Sequence, residues 1–156
     1  QDVHWVILGG GRKEGWVKNK VTEYHLEDCF HLLGSFPLEK MPDFYSNADA
    51  MLFSLKDEYI FSITIPAKLQ TYLACGKPVL AMINGEGANV IIDAKAGLTC
   101  PAESPKELAE NILKMKSLDD NEISNMGINA RKYYENNFER SYLFNRIEGI
   151  FEDMIV

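Results

Sequence analysis

Short, nearly continuous apolar runs alternate along this chain with longer stretches in which apolar residues return every three or four positions. The runs occupy residues 3–8 (V-H-W-V-I-L), 30–33 (F-H-L-L), 50–55 (A-M-L-F-S-L), 79–83 (V-L-A-M-I) and 97–100 (G-L-T-C). Such runs predict strands covered on both faces, as in a parallel sheet flanked by helices. The stretches between them predict helices at 13–26, at 38–47, from Pro66, and at 88–95. In the first of these, Trp16, Val17, Val21 and Tyr24 form the apolar side. Three helices close the chain. One opens at Ser104-Pro105-Lys106-Glu107, with a Ser cap, Pro in the first turn and Glu three residues after the cap. It buries Leu108, Ile112 and Met115. Asp119 or Asp120 caps the next, which turns Ile123, Met126, Ala130 and Tyr133 inward. The last starts near Ser141 and carries Phe144, Ile147, Phe151 and Met154 along one stripe.

The helix after Pro66 has the sharpest boundaries. Pro66 suits a first helical turn, where the missing N–H costs nothing. Gly76 suits the residue just past the end, and Pro78 forbids continuation. At about 100° per residue, Leu69 and Leu73 share one face, while Lys68, Thr71, Tyr72 and Cys75 gather opposite. The helix therefore packs on the two leucines and offers a cation and a hydroxyl near its start. Free N–H groups and the macrodipole already favour anions there, so Lys68 makes a phosphate seat. An ordinary amphipathic helix with a solvated lysine is the plainer alternative.

Strand and helix alternate at least four times before the helical end. This order predicts an α/β fold, a doubly wound parallel sheet of about five or six strands in one domain spanning 1–156. Ligands of such sheets bind beyond the carboxyl ends of the strands. The loops at those ends are 9–12, 34–37, 56–65 and 84–89. Composition narrows the classes: 46% hydrophobic and 25% charged residues indicate a globular protein. A net charge of -7, from 16 basic and 23 acidic residues, argues against nucleic-acid partners. No apolar run nears the roughly 18 residues of a membrane span. Gln1 leads straight into a strand pattern, which reads as a fragment of a longer protein. Cys29, Cys75 and Cys100 lack metal spacing and read as reduced, buried thiols of a cytosolic protein.

Single motifs are weaker. G-G-G-R-K at 9–13 resembles a phosphate loop but completes neither glycine fingerprint, and a tight turn explains it equally. Asn84-Gly85-Glu86-Gly87 lets backbone approach a ligand, although N-G is also a routine turn. Asp57 and Glu58 lie in a loop facing the expected site and are candidates to hold sugar hydroxyls or act as a base, with Glu86 a further sugar-contact candidate, although solvated loop acids are more common. His4, His25 and His31 have no partner at ligand spacing, and His4 and His31 read as core or edge residues of strands.

Taken together, several segments resemble the C-terminal, nucleotide-sugar-binding domain of group 1 (glycogen-synthase-like) retaining glycosyltransferases with the GT-B fold. They are V-I-L-G-G-G (6–11), F-H-L-L-G-S-F (30–36), M-P-D-F-Y-S-N-A-D-A-M-L-F-S (41–54) and P-A-K-L-Q-T-Y-L-A-C-G-K-P-V-L-A (66–81). N-G-E-G-A-N-V-I (84–91), A-G-L-T-C-P (96–101), Ala130-Arg131-Lys132-Tyr133 and Asn137-Phe138 continue the match in the family's order. The P-x-K-x-x-x-Y-L-A-C-G-K-P form is similar to transferases of bacterial surface polysaccharides such as O-antigen and capsule, most of all the acetamido-sugar (fucosamine-type) enzymes.

The resemblance implies a Rossmann-like half of a GT-B fold that binds a nucleotide-sugar, a UDP-linked donor in the first instance, with no cofactor or metal. It places the donor against Gly10, Gly11, Gly34, Ser35, Phe36, Thr64, Ile65, Pro66, Lys68 and Thr71. The base would lie on the 34–36 loop, the ribose near Thr71, and the diphosphate at the N–H groups of 64–68. The acceptor, a glycan or lipid-linked sugar, would be held by a missing N-terminal domain. The isolated chain is therefore expected to bind donor without hexosyl or acetamidohexosyl transfer. The intact enzyme would be cytoplasmic, with peripheral attachment to the inner face of the membrane as an option. One departure stands out: the family's Glu-x7-Glu acids fall at Ile63 and Thr71, so both are absent and no catalytic residue is assigned. A catalytically inactive module of the same fold thus stays open. An NAD-binding domain would need a complete glycine fingerprint that residues 9–11 do not deliver.

Overall fold

The computed structural model describes residues 2–155. They form two compact units, divided between Phe44 and Tyr45. All strand pairing is parallel, as expected for this α/β class. The five strands lie in two sheets, of two and three strands, instead of one sheet of five or six.

In the first unit β1 (Trp5–Leu8) pairs with β2 (Phe30–Gly34), setting Trp5 opposite Phe30 and Val6 opposite His31. A register shift between Ile7 and Leu8 brings Leu8 opposite Gly34. The expectation that both faces of this strand are buried is not met, since Val6 is 52% and Ile7 36% exposed. Between the strands runs α1 (Glu14–Glu23), whose one buried residue is Val21. Trp16 and Tyr24, expected on its inner face, are exposed. Trp16 lies roughly 100° round the helix from Val17 and roughly 140° from Val21, off the inward stripe. Tyr24 is already the C-cap, and its ring lies 5.4 Å from the Lys20 ammonium. The predicted helix at 38–47 is a single 3₁₀ turn, Leu38–Lys40, running into α2 (Met41–Asn47).

The second unit is built on β3 (Met51–Ser54), β4 (Val79–Met82) and β5 (Gly97–Cys100), in that order across the sheet. Ser54 aligns with Met82 and Met82 with Cys100, so the three carboxyl ends are level. A one-turn helix, α3 (Tyr59–Ser62), interrupts what reads in sequence as a polar loop. Next come α4 (Ala67–Ala74), α5 (Glu86–Ala94), α6 (Pro105–Lys116), α7 (Asp120–Asn137) and α8 (Arg140–Ile155). Both α4 and α5 pack on α7, and α6 lies against β4 and β5. Leu69, Leu73, Val79, Ala81, Ile91, Ala96 and Ala130 have no exposed surface and form the centre of the core. A Cβ added at Gly127 would collide with the carbonyl oxygen of Gly76, so a glycine is needed where α7 crosses the end of α4.

The two predicted caps behave differently. Asp119 forms a full capping box, accepting from Glu122 N at 2.8 Å and donating its own N–H to Glu122 Oε2 at 3.0 Å. Ser104 stands at the N-cap of α6, but its hydroxyl donates to Glu107 Oε1 instead of accepting from the backbone. Along α8, Phe144, Ile147, Phe151 and Met154 are all exposed.

Candidate functional site

The site follows from where α4 begins. Pro66 is the N-cap in extended conformation, one residue earlier than a first-turn proline, and it lacks both an N–H and a side-chain acceptor. The two hydroxyls available as caps are committed elsewhere. Ser62 Oγ donates to Tyr59 O at 2.8 Å and Thr64 Oγ1 to Ile60 O at 2.9 Å, closing α3. No side chain caps α4, which leaves its first amides without a side-chain acceptor. Lys68 is exposed on that first turn and has no ion pair or side-chain hydrogen bond among the described residues. Thr71 is exposed one turn later, its hydroxyl donating back to Ala67 O at 3.1 Å.

A second uncapped helix start lies beside the first. The N-cap of α5 is Gly85, at φ 72°, with no side-chain cap. A Cβ on Gly85 would collide with the backbone of Ser62. A Cβ on Gly87 would come within 3.7 Å of Pro66 and of Leu69, and only 2.9 Å from Ile83. These glycines let the starts of α4 and α5 converge at the carboxyl ends of β3 and β4. Glu86 is exposed in the first turn of α5, with Asn89 Nδ2 at 3.5 Å from its carboxylate.

The acids after β3 divide. Asp57 Oδ1 accepts from Asn84 Nδ2 at 2.8 Å, while Glu58, the N-cap of α3, makes no side-chain cap. Asn84 in turn accepts the N–H of Ala102, just past β5, on its Oδ1 at 3.1 Å. Asn84 therefore bridges the loops after three adjacent strands. In the sequence Asn84 reads only as part of a glycine-rich segment, a backbone approach to a ligand or a routine turn, because its partners lie 27 and 18 residues away.

The first unit has its own pair of strand-end loops. Gly9, at φ 106°, donates its N–H to Gly34 O at 2.7 Å, so the loops carrying Gly10, Gly11, Ser35 and Phe36 start side by side. Gly34 is itself at φ 74°, and Phe36 packs edge-on against Phe44 at 4.7 Å. The start of α1 presents an acid, Glu14, in its first turn. Glu14 Oε2 lies 2.9 Å from where a Gly10 Cβ would stand, and the hydrogen-bonded Lys18 ammonium, 2.7 Å away, holds its carboxyl below the ordinary carboxylate range.

Other polar features lie apart from these loops. A cleft of about 690 Å³ opens beneath Lys77, Pro78, Gly127 and Arg131, at the amino end of β4. Two of its three lining cations are engaged: Arg131 binds Glu135 and Ala74 O, and Lys77 donates to Ser46 O. The three cysteines are free thiols; Cys29 and Cys100 are buried and Cys75 is half-buried. Burial pushes the Cys75 and Cys100 thiols up, against a reactive role. Among the described residues no three His, Cys, Asp or Glu side chains are grouped to hold a metal, and no helix is long and apolar enough to cross a membrane.

Comparison with known proteins sets this arrangement in a family. A putative colanic acid biosynthesis glycosyltransferase, WcaL, of Escherichia coli K12 is 23% identical over 154 residues, 94% of this chain and 36% of that protein. The amylovoran biosynthesis glycosyltransferase AmsK of Erwinia amylovora is 26% identical over 95% of this chain and 36% of its own length. The chain thus spans little more than a third of the curated relatives it matches. Among solved structures, Anabaena Alr3699/HepE in complex with UDP superposes with a TM-score of 0.79 at 18% identity, over 97% of this chain and 41% of that one. Sucrose-phosphate synthase from Thermosynechococcus elongatus gives 0.77 at 21% identity, over 96% and 38%. These likenesses bear out the α/β fold class, one half of a GT-B fold. The family model described as glycosyl transferases group 1 matches residues 1–117, and the chain belongs to that family.

Proposed function

We infer that this chain is the donor-binding part of a retaining glycosyltransferase that builds a bacterial surface polysaccharide. The curated relatives, named for colanic acid and amylovoran biosynthesis, support the pathway class. A likeness to a protein solved with UDP and with UDP-glucose supports a nucleotide-sugar donor. The observation that carries the reading is the pair of uncapped helix starts at α4 and α5, with Lys68 on the first turn of α4. Backbone N–H groups, two helix dipoles and one unpaired ammonium suit a diphosphate. In transfer, the sugar–phosphate bond breaks and negative charge builds on the leaving diphosphate. Lys68 and the amides at 67–68 would stabilise that charge electrostatically, without a covalent step or a resident metal. Thr71 would lie near the ribose. The transferred group is proposed to be a hexose or an acetamidohexose. Glycan or lipid-linked acceptors would be held by a further domain at the cytoplasmic face, and the chain alone would bind donor without turnover.

The test is titration of the protein with UDP, GDP, NAD and uridine. UDP is expected to bind best, and Lys68→Ala to weaken UDP about tenfold or more while leaving uridine almost unchanged. Equal losses for both ligands, or none, would remove Lys68 from the site. Ile63, half-exposed, and Thr71, with its hydroxyl on Ala67 O, stand where the family's two acids would be, which favours a second reading as an inactive module. Failure of every nucleotide to bind would select that reading.

A further inference from the structure

We propose that Asn84 is a positioning residue that fixes Asp57 as the acceptor for hydroxyl groups of the donor's sugar, an inference that rests on the donor-binding reading above. The amide of Asn84 has both ends in use. Its Nδ2 donates to Asp57 Oδ1 at 2.8 Å and its Oδ1 accepts from Ala102 N at 3.1 Å. Rotating the amide by half a turn would set its oxygen against a carboxylate and its NH₂ against an N–H, so only one orientation satisfies both partners. The anchor at Ala102 is backbone and sits two residues past β5. Asn84 itself is half-buried and two residues past β4. Asp57 is thereby tethered to the rigid end of the sheet although it lies on an exposed loop.

A second contact closes the same loop. Gly85 packs on the backbone of Ser62 so closely that no side chain fits, which holds 57–62 against 84–86. Among the described residues no hydrogen bond occupies Asp57 Oδ2. An ionised carboxylate with one oxygen pinned and the other open is suited to accept from a sugar hydroxyl, as a charge-assisted bond. Neither Glu58 nor Glu86 is held comparably. Glu58 has no side-chain partner among the described residues, and Glu86 only a 3.5 Å contact with Asn89 on its own helix. The tether therefore singles out one of three candidate acids. It also gives the site a sugar contact in place of the acids absent at Ile63 and Thr71.

The experiment measures dissociation constants for UDP and UDP-glucose in the unsubstituted protein, Asp57→Asn, Asn84→Ala and the double variant, with thermal unfolding of each as a fold check. Asp57→Asn is expected to raise the ratio of the UDP-glucose constant to the UDP constant about tenfold. Asn84→Ala is expected to raise it about threefold to tenfold, and the double variant no further than Asp57→Asn, because Asn84 acts through Asp57. A merely structural asparagine would weaken both ligands equally and leave the ratio alone, which overturns the proposal. So does an additive double variant, or a ratio unmoved by Asp57→Asn. If the unsubstituted protein binds neither ligand nor GDP, the donor-binding reading itself fails. Failure of the ratio with UDP still bound strikes the tether alone.

Discussion

The strands β1 and β4 have sequences of the same kind and opposite surroundings. V-I in β1 is 52% and 36% exposed, whereas Val79 and Ala81 in β4 have no exposed surface. Each strand is a short apolar run that invites burial on both faces. β4 has hydrogen-bonded neighbours on both edges and α6 packed against it. β1 has one bonded neighbour and a helix, α1, that buries a single valine. An apolar run thus records what a strand is able to bury, and the elements around it decide how much it does bury.

The largest expected effect tests that contrast. Leu73→Ala removes a fully buried side chain from the centre of the second unit and should cost about 2–5 kcal/mol through the cavity it leaves. Val6→Ala removes a half-exposed one and should cost less than about 1 kcal/mol. Both tryptophans, Trp5 and Trp16, lie in the first unit, so their fluorescence during denaturation follows that unit. Far-UV circular dichroism is weighted toward the helices of the second. A Val6→Ala loss as large as that of Leu73→Ala would show that β1 is buried in the protein in solution, and the contrast would collapse.

A smaller effect, dependent on pH, sharpens the same comparison. Tyr72 is half-buried on α4, edge-on to Phe53 at 6.3 Å and to Tyr45 at 5.9 Å. Burial, more than its neighbours' charges, pushes its phenol above the ordinary value. A folded value above the unfolded one leaves stability intact below about pH 10 and removes it as pH rises through the folded value. The second unit should therefore weaken from about pH 10 upward, and Tyr72→Phe should flatten that part of the profile. An unchanged alkaline slope in Tyr72→Phe would mean that the phenol is hydrated.

What was legible in the sequence follows the same division. The boundaries of α4, its buried Leu69 and Leu73, and the left-handed Gly76 beyond its end were written in local signals, Pro, Gly and a 3.6-residue period. The Asp119 capping box is likewise confined to four consecutive residues. Features that depend on distant partners were not legible. Four residues of α3 are too few to show a period, and side-chain bonds from Ser62 and Thr64 close that turn. The division into two sheets depends on which strand edges meet, and an apolar run does not encode its neighbour. The exposed places of Lys68 and Thr71 on α4 were legible because a helix start announces itself. The tether at Asn84 was not, because its partners come from two other loops.

The smallest effect concerns what holds β1 to β2 where packing is thin. Beside the Val6–His31 pair, His4 Nδ1 lies 3.0 Å from His31 Nε2, with the rings 5° from parallel. One nitrogen donates and the other accepts, so the pair is satisfied with one ring proton between them. The pair lies near water, His4 exposed and His31 half-buried, and solvent can replace the bond when either ring is removed. His31→Ala should therefore cost only about 0.2–1 kcal/mol, the size of a cross-strand pair, read from tryptophan fluorescence. His4→Ala should cost no more, and the double variant should cost less than the sum, since one bond is lost in all three. In the second unit, by contrast, β3 and β4 are held on one face by apolar pairs, Met51 with Val79 and Phe53 with Ala81, all four residues buried. A His31→Ala loss of several kcal/mol would invert this assignment, making the histidine pair the chief fastening of the first sheet.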